Sequence, residues 1–438
     1  MILRGPVVAL ALLGLVPAAL WPGQSQWIAP AWLGFVALVV LIDVLLTPAP
    51  SVVQITRSTT PVVRLHEEAA TTLTLTNGGR QHVRAVVRDA WVPSAGAASP
   101  RHTVDLPAGE RRRVTTTLRP TRRGDRPAAG VTVRSVGPLG LAGRQRTRMV
   151  PGAVRSLPPF RSRRHLPSKL AQLRQLDGRS AVRTRGQGTE FDSLRDYVDG
   201  DDVRSIDWRA TARRQHVVVR TWQPERDRRV VIVLDTSRTS AARVGDEPRL
   251  DAAMDAALLL SALAAHAGDR VDLIAGDRLI RARVGSGSSG AAAGRTALLH
   301  QLVTALAPLE PVLVEADWTH LAGAVSRLTR RRALVVLLTP LEPAAVEEGL
   351  LPVLPVLTSR HRVILASVAD PALGELRADT STLEAVYDAA AAERTEALRQ
   401  RTATALAQLG VTVLDETPQH LPVALADHYL ALKARGLL

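Results

Sequence analysis

The sequence predicts an α/β domain, a mostly parallel sheet with helices on both faces, preceded by a small β-sandwich and an N-terminal transmembrane helical hairpin. Three observations carry that expectation. Two apolar runs, Gly5 to Trp21 and Ile28 to Thr47, stand close together at the N-terminal end. Residues 51–157 hold short β-branched segments broken by proline and glycine. From Arg229 onward, short apolar runs alternate with helical patterns, as in a parallel sheet whose crossovers are helices. The expected divisions are 1–48 for the hairpin, 51–157 for the sandwich, 158–228 for a basic linker and an acidic motif, and 229–438 for the α/β domain.

A helix rises about 1.5 Å per residue, so ~20 residues cover a hydrocarbon core of ~30 Å. The second apolar run meets that length. The first is marginal, with Pro17 as its expected kink, and Pro22 to Gln26 leaves room only for a tight turn. A cleaved signal peptide followed by one span is the rival reading, since Arg4 and an apolar run would suit it. Against it, the turn offers no small-x-small cleavage site and a second apolar run follows at once. Arg4 precedes the first run, Arg57 and Arg64 follow the second, and the turn between has no basic residue. Basic residues favour the cytoplasmic side, so both ends, and everything after about residue 48, are expected in the cytoplasm at the cell membrane. Asp43, inside the second run, is either a functional intramembrane carboxylate or a group near the headgroups.

In the middle region Val52 to Thr56, Thr71 to Thr76, His82 to Trp91, Arg113 to Leu118 and Val131 to Val136 read as strands. Asn77-Gly78-Gly79 is a turn signal between two of them. Five to seven short strands suggest a small sandwich. His66-Glu67-Glu68-Ala69-Ala70 begins like a zinc-protease motif but lacks the second histidine.

The chain carries 56 Lys and Arg against 41 Asp and Glu, a net +15. Between Arg101 and Arg185 there are 21 basic residues against four acids, a net +17, so one stretch holds the basic character. Such charge suits an anionic partner: nucleic acid, acidic lipid or an acidic protein. Phe160 is the one aromatic residue in the linker at 158–187, too few for a platform that stacks single-stranded bases. An anionic inner leaflet, an acidic partner, or a merely solvated arginine-rich surface remain for it. The absence of cysteine removes disulfides, thiol nucleophiles and thiolate metal sites. Lysine occurs only at Lys169 and Lys433, neither in a glycine-rich phosphate loop, and no Gly-x-Ser-x-Gly elbow is present. The chain therefore reads as a binding protein rather than an enzyme.

The segment Gly188 to Arg213 concentrates seven carboxylates among arginines: Glu190, Asp192, Asp196, Asp199, Asp201, Asp202 and Asp207. Phe191, Leu194, Tyr197, Ile206 and Trp208 are its apolar anchors. Clustered carboxylates can bind a cation or activate water; they also serve as a salt-bridged connector. After it come strands at Arg229–Asp235, Arg270–Ala275, Ala333–Leu338, Arg362–Val368 and Val411–Leu414. Helices are expected at Leu250–His266, Arg295–Leu306, His320–Arg330, Leu383–Leu409 and Leu421–Ala434, with a Gly/Ser loop at 285–290. Ligands of such sheets bind at the carboxyl ends of strands. There the sequence places Asp235-Thr236-Ser237-Arg238-Thr239, one carboxylate and two hydroxyls suited to a hard cation such as Mg²⁺, or to capping the next helix.

The Asp-x-Ser-x-Thr array resembles the metal-ion-dependent adhesion site of von Willebrand A domains. Thr319-His320-Leu321-Ala322-Gly323-Ala324 resembles that family's second loop, so the resemblance implies a site of Asp235, Ser237, Thr239 and Thr319. The third loop has Thr339-Pro340 where an aspartate is expected, which makes the site degenerate. Glu190-Phe191, Leu194-Arg195, Tyr197, Gly200-Asp201-Asp202, Arg204 and Asp207-Trp208 resemble the domain-of-unknown-function 58 family, whose members carry a von Willebrand A-like domain. The resemblance spans about residues 50–438 and implies a membrane-anchored, non-enzymatic adaptor or scaffold that works with a MoxR-type AAA+ ATPase or its client in a chaperone or assembly role. A metal-dependent hydrolase using the acidic motif, and a nucleic-acid binder using 101–185, are the alternatives.

Overall fold

The computed structural model describes residues 2–58, 61–183, 190–223, 228–285 and 293–438. It divides into two compact units, Met1–Leu157 and Pro158–Leu438.

The first unit opens with a two-residue strand, β1 (Ile2–Leu3), and the helices α1 (Gly5–Leu13), α2 (Leu15–Leu20) and α3 (Ser25–Leu46). The break between α1 and α2 falls at Gly14 rather than at Pro17. Pro17 sits in the first turn of α2, where its missing N–H satisfies no helical bond. Gly14 allows close approach: a β-carbon there would meet the Trp32 indole at 2.1 Å, and Trp32 Nε1 donates to the Leu10 carbonyl at 3.0 Å. Among the described residues α3 is the helix long and apolar enough to cross a membrane; Gly5–Leu20 is apolar but shorter.

The strands β2 (Val53–Arg57), β3 (Val62–Arg64), β4 (Ala69–Asn77), β5 (Val83–Trp91), β6 (Ala97–Ala98), β7 (Arg101–Leu106), β8 (Arg111–Leu118), β9 (Gly124–Val136), β10 (Ala142–Arg148) and β11 (Ala153–Leu157) follow. One sheet has the order β2-β4-β8-β6; the other runs β1-β10-β9-β11-β3, with β5 paired to β9 and β7. In β4 and β5 every second residue is buried, the two-residue period of a sheet with one inner face. Val53, Leu73 and Leu75 of the smaller sheet pack with Val83, Val87, Val104 and Val133 of the larger in one core. β1 joins the larger sheet at its edge, Ile2 opposite Gly143 and Leu3 opposite Ala142. Arg57 lies under this surface, its guanidinium paired with buried Asp89 at 2.7 Å and stacked on Trp91 at 4.7 Å.

Asp43 is fully buried. Its carboxylate accepts from the backbone N–H groups of Leu139, Leu141 and Ala142 at 2.8–2.9 Å, and Val36 and Val40 of the same helix pack on Ala142. The residue is thus an anchor between α3 and the β9–β10 turn, a role the sequence reading did not foresee.

The second unit begins with residues read as a linker. In the structure they form a 3-10 turn at Arg161–His165 and a helix, α4 (Leu166–Arg183). Its buried Lys169 and Leu173 stand four apart, one helical turn, and Lys169 pairs with Asp427. Ser162 donates from N and Oγ to the Asp255 carboxylate. The rest of the expected linker, 184–187, lies outside the described residues, as does the Gly/Ser loop beyond Gly285. The basic stretch is consequently shared by the two units.

A two-stranded hairpin, β12 (Glu190–Asp196) and β13 (Val218–Gln223), encloses the short helix α5 (Trp208–Arg214). The large sheet starts at β14 (Arg229–Asp235); the small pair β15 (Arg243–Val244) and β16 (Glu247–Pro248) precedes α6 (Arg249–His266). Then come β17 (Arg270–Gly276), β18 (Ile280–Gly285), α7 (Ala293–Leu306), α8 (Trp318–Leu328), β19 (Leu334–Leu338), α9 (Pro343–Ala345), α10 (Leu354–Thr358), β20 (Arg362–Val368), α11 (Ala372–Ala378), α12 (Leu383–Gln408), β21 (Val411–Glu416) and α13 (Leu421–Ala434). The sheet order is β18-β17-β14-β19-β20-β21. All neighbours are parallel except β18, an antiparallel edge. Val231, Val233, Val335, Leu337, Val363 and Leu365 pack with Leu321, Leu354 and Leu406 of α8, α10 and α12. The opposite face meets α6 and α13, so helices cover both sides.

Candidate functional site

The chain leaves β14 toward β17 on one side and later returns to β19 on the other. The strand order reverses at β14, and the crevice at the carboxyl ends of two such strands is where open α/β sheets bind ligands. Asp235 is the last residue of β14 and Thr339 directly follows β19. The Thr339 hydroxyl donates across that crevice to Asp235 Oδ2 at 2.7 Å.

The other partners of Asp235 come from its own loop. Ser237 N donates to Oδ1 at 2.7 Å and Thr239 Oγ1 to Oδ2 at 3.1 Å, while the Ser237 and Thr239 hydroxyls lie 3.1 Å apart. Asp235, Ser237 and Thr239 are all buried. Burial pushes the Asp235 carboxyl above its ordinary range, and hydrogen bonds from Thr339, Ser237 and Thr239 oppose the shift. These groups form the floor of a cleft of about 230 Å³ walled by Trp318, Pro340, Val346 and Leu350, with Arg238, Glu315 and Glu348 also lining it. Arg238 and Glu315 form an ion pair there.

Three of the four residues expected at this site, Asp235, Ser237 and Thr239, therefore meet. Thr319 does not line the cleft; it is exposed in the first turn of α8, and Trp318 takes the place beside the floor. Thr339, noted in the sequence only as a substitute for a missing aspartate, supplies a hydroxyl instead. Glu342 is engaged elsewhere, with Arg249 at 2.6 Å. Asp277, at the end of the neighbouring β17, accepts from Thr236 Oγ1 at 2.8 Å and Arg281 Nε at 2.8 Å; no local sequence pattern marks it. Although burial works against it, hydrogen bonding from Arg281 and Thr236 holds its carboxyl below the usual range.

As a cation shell the set has one carboxylate and three hydroxyls. Mg²⁺ prefers oxygen ligands in a near-octahedral array with carboxylate charge among them. Among the described residues no group of three or more His, Cys, Asp or Glu converges on a point. The donors fit a loosely held Mg²⁺ and fall short of a tightly held one.

The acidic motif is built differently. Asp201 binds Arg195 Nη1 at 2.7 Å and Val198 N at 3.0 Å, across a turn that Gly200 closes with φ +104°. Asp202 caps the following turn through Arg204 N at 2.9 Å. Asp207 caps α5 through Arg209 N and Ala210 N, both 3.0 Å, and binds Arg220 Nε at 2.8 Å. Leu194 and Tyr197 are half-buried, whereas Trp208, expected as a core anchor, is exposed at 66%. Glu190 and Phe191 lie in β12, and their side chains are outside the description.

An uncharacterized protein of Mycobacterium bovis and uncharacterized proteins of two Mycobacterium tuberculosis strains are each 29% identical to this chain over 195 residues, 42% of its length. The chain spans 56% of the length of these curated relatives. Two solved forms of a CARDB domain from Pyrococcus furiosus, one in complex with di-metal ions, overlay 23% of the chain at 18–19% identity. They cover 94% and 93% of those domains, with TM-scores of 0.17 and 0.18. The family model for proteins of unknown function DUF58 matches residues 193–422, from the Arg195–Asp201 turn through the whole large sheet, and the chain belongs to that family.

Proposed function

We propose that this protein is a membrane-anchored, non-enzymatic adaptor whose α/β domain is von Willebrand A-like and docks a partner at the carboxyl edge of its sheet. The observation that carries the reading is the buried Asp235 carboxylate with three hydroxyls around it at the strand-order reversal, under an open cleft. A carboxylate held where burial disfavours its charge costs stability, which is characteristic of a site kept for binding. The antiparallel edge strand beside a parallel sheet, with the first strand at the centre, further supports the von Willebrand A-like assignment. Asp235, Ser237 and Thr239 are the residues that would hold Mg²⁺, which would accept a further oxygen ligand from a partner. Binding of the ion is expected to be weak, or to need that partner.

Asp201, Asp202 and Asp207 of the acidic motif are used in caps and turns, which favours an adaptor over a hydrolase. The lone aromatic residue of the 158–187 stretch, Phe160, favours protein or lipid contacts over a platform for nucleic acid. The pairing of β1 with β10 supports the hairpin. If residue 3 and the β-domain share one sheet, crossings between them come in pairs, and the basic flanks place that side in the cytoplasm. A MoxR-type AAA+ ATPase, or its client, is the partner we propose.

The test uses the full chain in detergent or nanodiscs, with calorimetry against Mg²⁺ and against a purified MoxR-type ATPase. The expected result is weak Mg²⁺ binding and ATPase binding that falls at least tenfold on Asp235→Ala with Thr339→Ala. ATPase binding indifferent to both changes would remove the cleft as the docking surface. Turnover of ester or phosphoester substrates, lost on Asp201→Asn, would favour the hydrolase.

A further inference from the structure

A second surface of the α/β unit, separate from the Asp235 cleft, has the character of a helix-docking face. It lies on α11 and the first third of α12. From Leu383 to Ala391 no residue of α12 is buried; the buried positions are Ala392, Arg399, Thr402 and Leu406. Leu383 and Tyr387 are 74% and 70% exposed, and Val386 is exposed between them. With Ala390 these residues take positions i, i+3, i+4 and i+7, a single helical face. Single exposed apolar side chains are ordinary; a set in this register is how one helix offers anchors to another.

The charge around this stripe runs against the rest of the molecule. Residues 370–396 contain seven acids and two arginines, in a chain of net charge +15. Arg377 is committed to Glu393 at 2.6 Å. Glu384 and Asp388 are both exposed and adjoin the stripe in sequence.

We propose that the α11–α12 face binds a basic amphipathic helix of a partner protein. Its apolar side would meet Leu383, Val386 and Tyr387, and its Lys or Arg residues would meet Glu384 and Asp388. An anionic lipid surface repels the same acids. A symmetric contact with a second copy would set acid against acid. The proposal does not depend on the cleft.

The chain has no cysteine, so Ala390→Cys gives a unique attachment point for a polarity-sensitive dye. The full chain, labelled there and held in neutral-lipid nanodiscs, is titrated with an 18-residue Leu/Lys amphipathic peptide and with its Leu/Glu counterpart. A saturable blue shift is expected with the Leu/Lys peptide alone. The apparent Kd should rise at least tenfold in Glu384→Lys/Asp388→Lys and in Leu383→Ser/Tyr387→Ser, and stay unchanged in Asp235→Ala. Equal response to both peptides, or no effect of either double variant, overturns the proposal. So does a shift that grows with protein concentration without peptide, which assigns the face to a second copy. A shift without peptide in phosphatidylglycerol nanodiscs overturns it in favour of lipid.

Discussion

The carboxylate of Asp43 occupies the space where a β-carbon on Gly137 would stand: that carbon would lie 2.3 Å from Oδ1. The glycine leaves room for a helix-borne acid to accept three backbone N–H groups from the β9–β10 turn. Each buried donor left without an acceptor costs ~1–3 kcal/mol. Asp43→Ala is therefore expected to destabilise the first unit by on the order of 3 kcal/mol, and Gly137→Ala to destabilise it by displacing the same carboxylate. Thermal unfolding of the detergent-solubilised chain measures both; an unchanged melting temperature for Asp43→Ala would show that the contact contributes nothing.

Arg57 offers a second stability test. Its guanidinium pairs with Asp89, and both side chains are almost wholly buried, while Trp91 Nε1 also donates to Asp89 at 3.0 Å. Removing one member of a buried pair strands the other charge, at ~3–5 kcal/mol. Arg57→Ala should lower stability by about that amount in denaturant titrations, and Asp89→Asn combined with Arg57→Met should recover part of it.

The acidic motif separates a cap from a contact. Asp207→Ala removes the α5 cap and should lower the melting temperature slightly. Trp208→Ala, at an exposed position, should leave the melting temperature where it is, so any loss of partner binding would belong to the contact itself. The Ala210 N–H, and then Arg220, hold the Asp207 carboxyl below the ordinary range. Its contribution is complete above the unfolded value of about 3.9 and is lost as pH falls through the lower folded value. A melting curve against pH should therefore show the Asp207→Ala deficit closing only in strong acid.

Asp235 has the opposite sign. Burial pushes its carboxyl up, so the folded state holds the proton more tightly than the unfolded one. That stability is fully present below about pH 3.9 and falls as pH rises through the raised folded value. Asp235→Asn should melt no lower than wild type at pH 8 and should flatten the pH dependence, while partner docking is lost. A variant that melts well below wild type at pH 8 would make Asp235 a structural residue.

How much of this was legible depended on distance along the chain. Asp235, Ser237 and Thr239 lie within five residues at the end of an apolar strand, and that local pattern suffices to find them. Thr339 reaches Asp235 only because β19 lies beside β14, and strand adjacency is not written in local sequence. The partners of Asp43 are 96 to 99 residues away, so its role was equally hidden. Helix α4 looked like a linker because it lies in the net-basic stretch between Arg101 and Arg185, and two inward positions, Lys169 and Leu173, make too faint a stripe. Trp208 was read as an anchor on its chemistry, but in the structure it stands exposed at the start of the short helix α5. The edge strand β18 went unread because its exposed side carries arginine, with Arg281 bound to Asp277 at 2.8 Å; charge of this kind also guards a sheet edge against a stray strand.

The short strand at residues 2–3 also imposes an order of events. Ile2 is translated about 140 residues before Gly143, its partner in the sheet; at 5–20 residues per second that is an interval of roughly 7–28 s. Throughout it the edge that β1 will join does not exist. Residues 2–3 therefore have to wait for their partner strand while the rest of the first unit is made. Completion of β10 then closes the sheet over them, so that the first residues made are among the last of the unit to take their place.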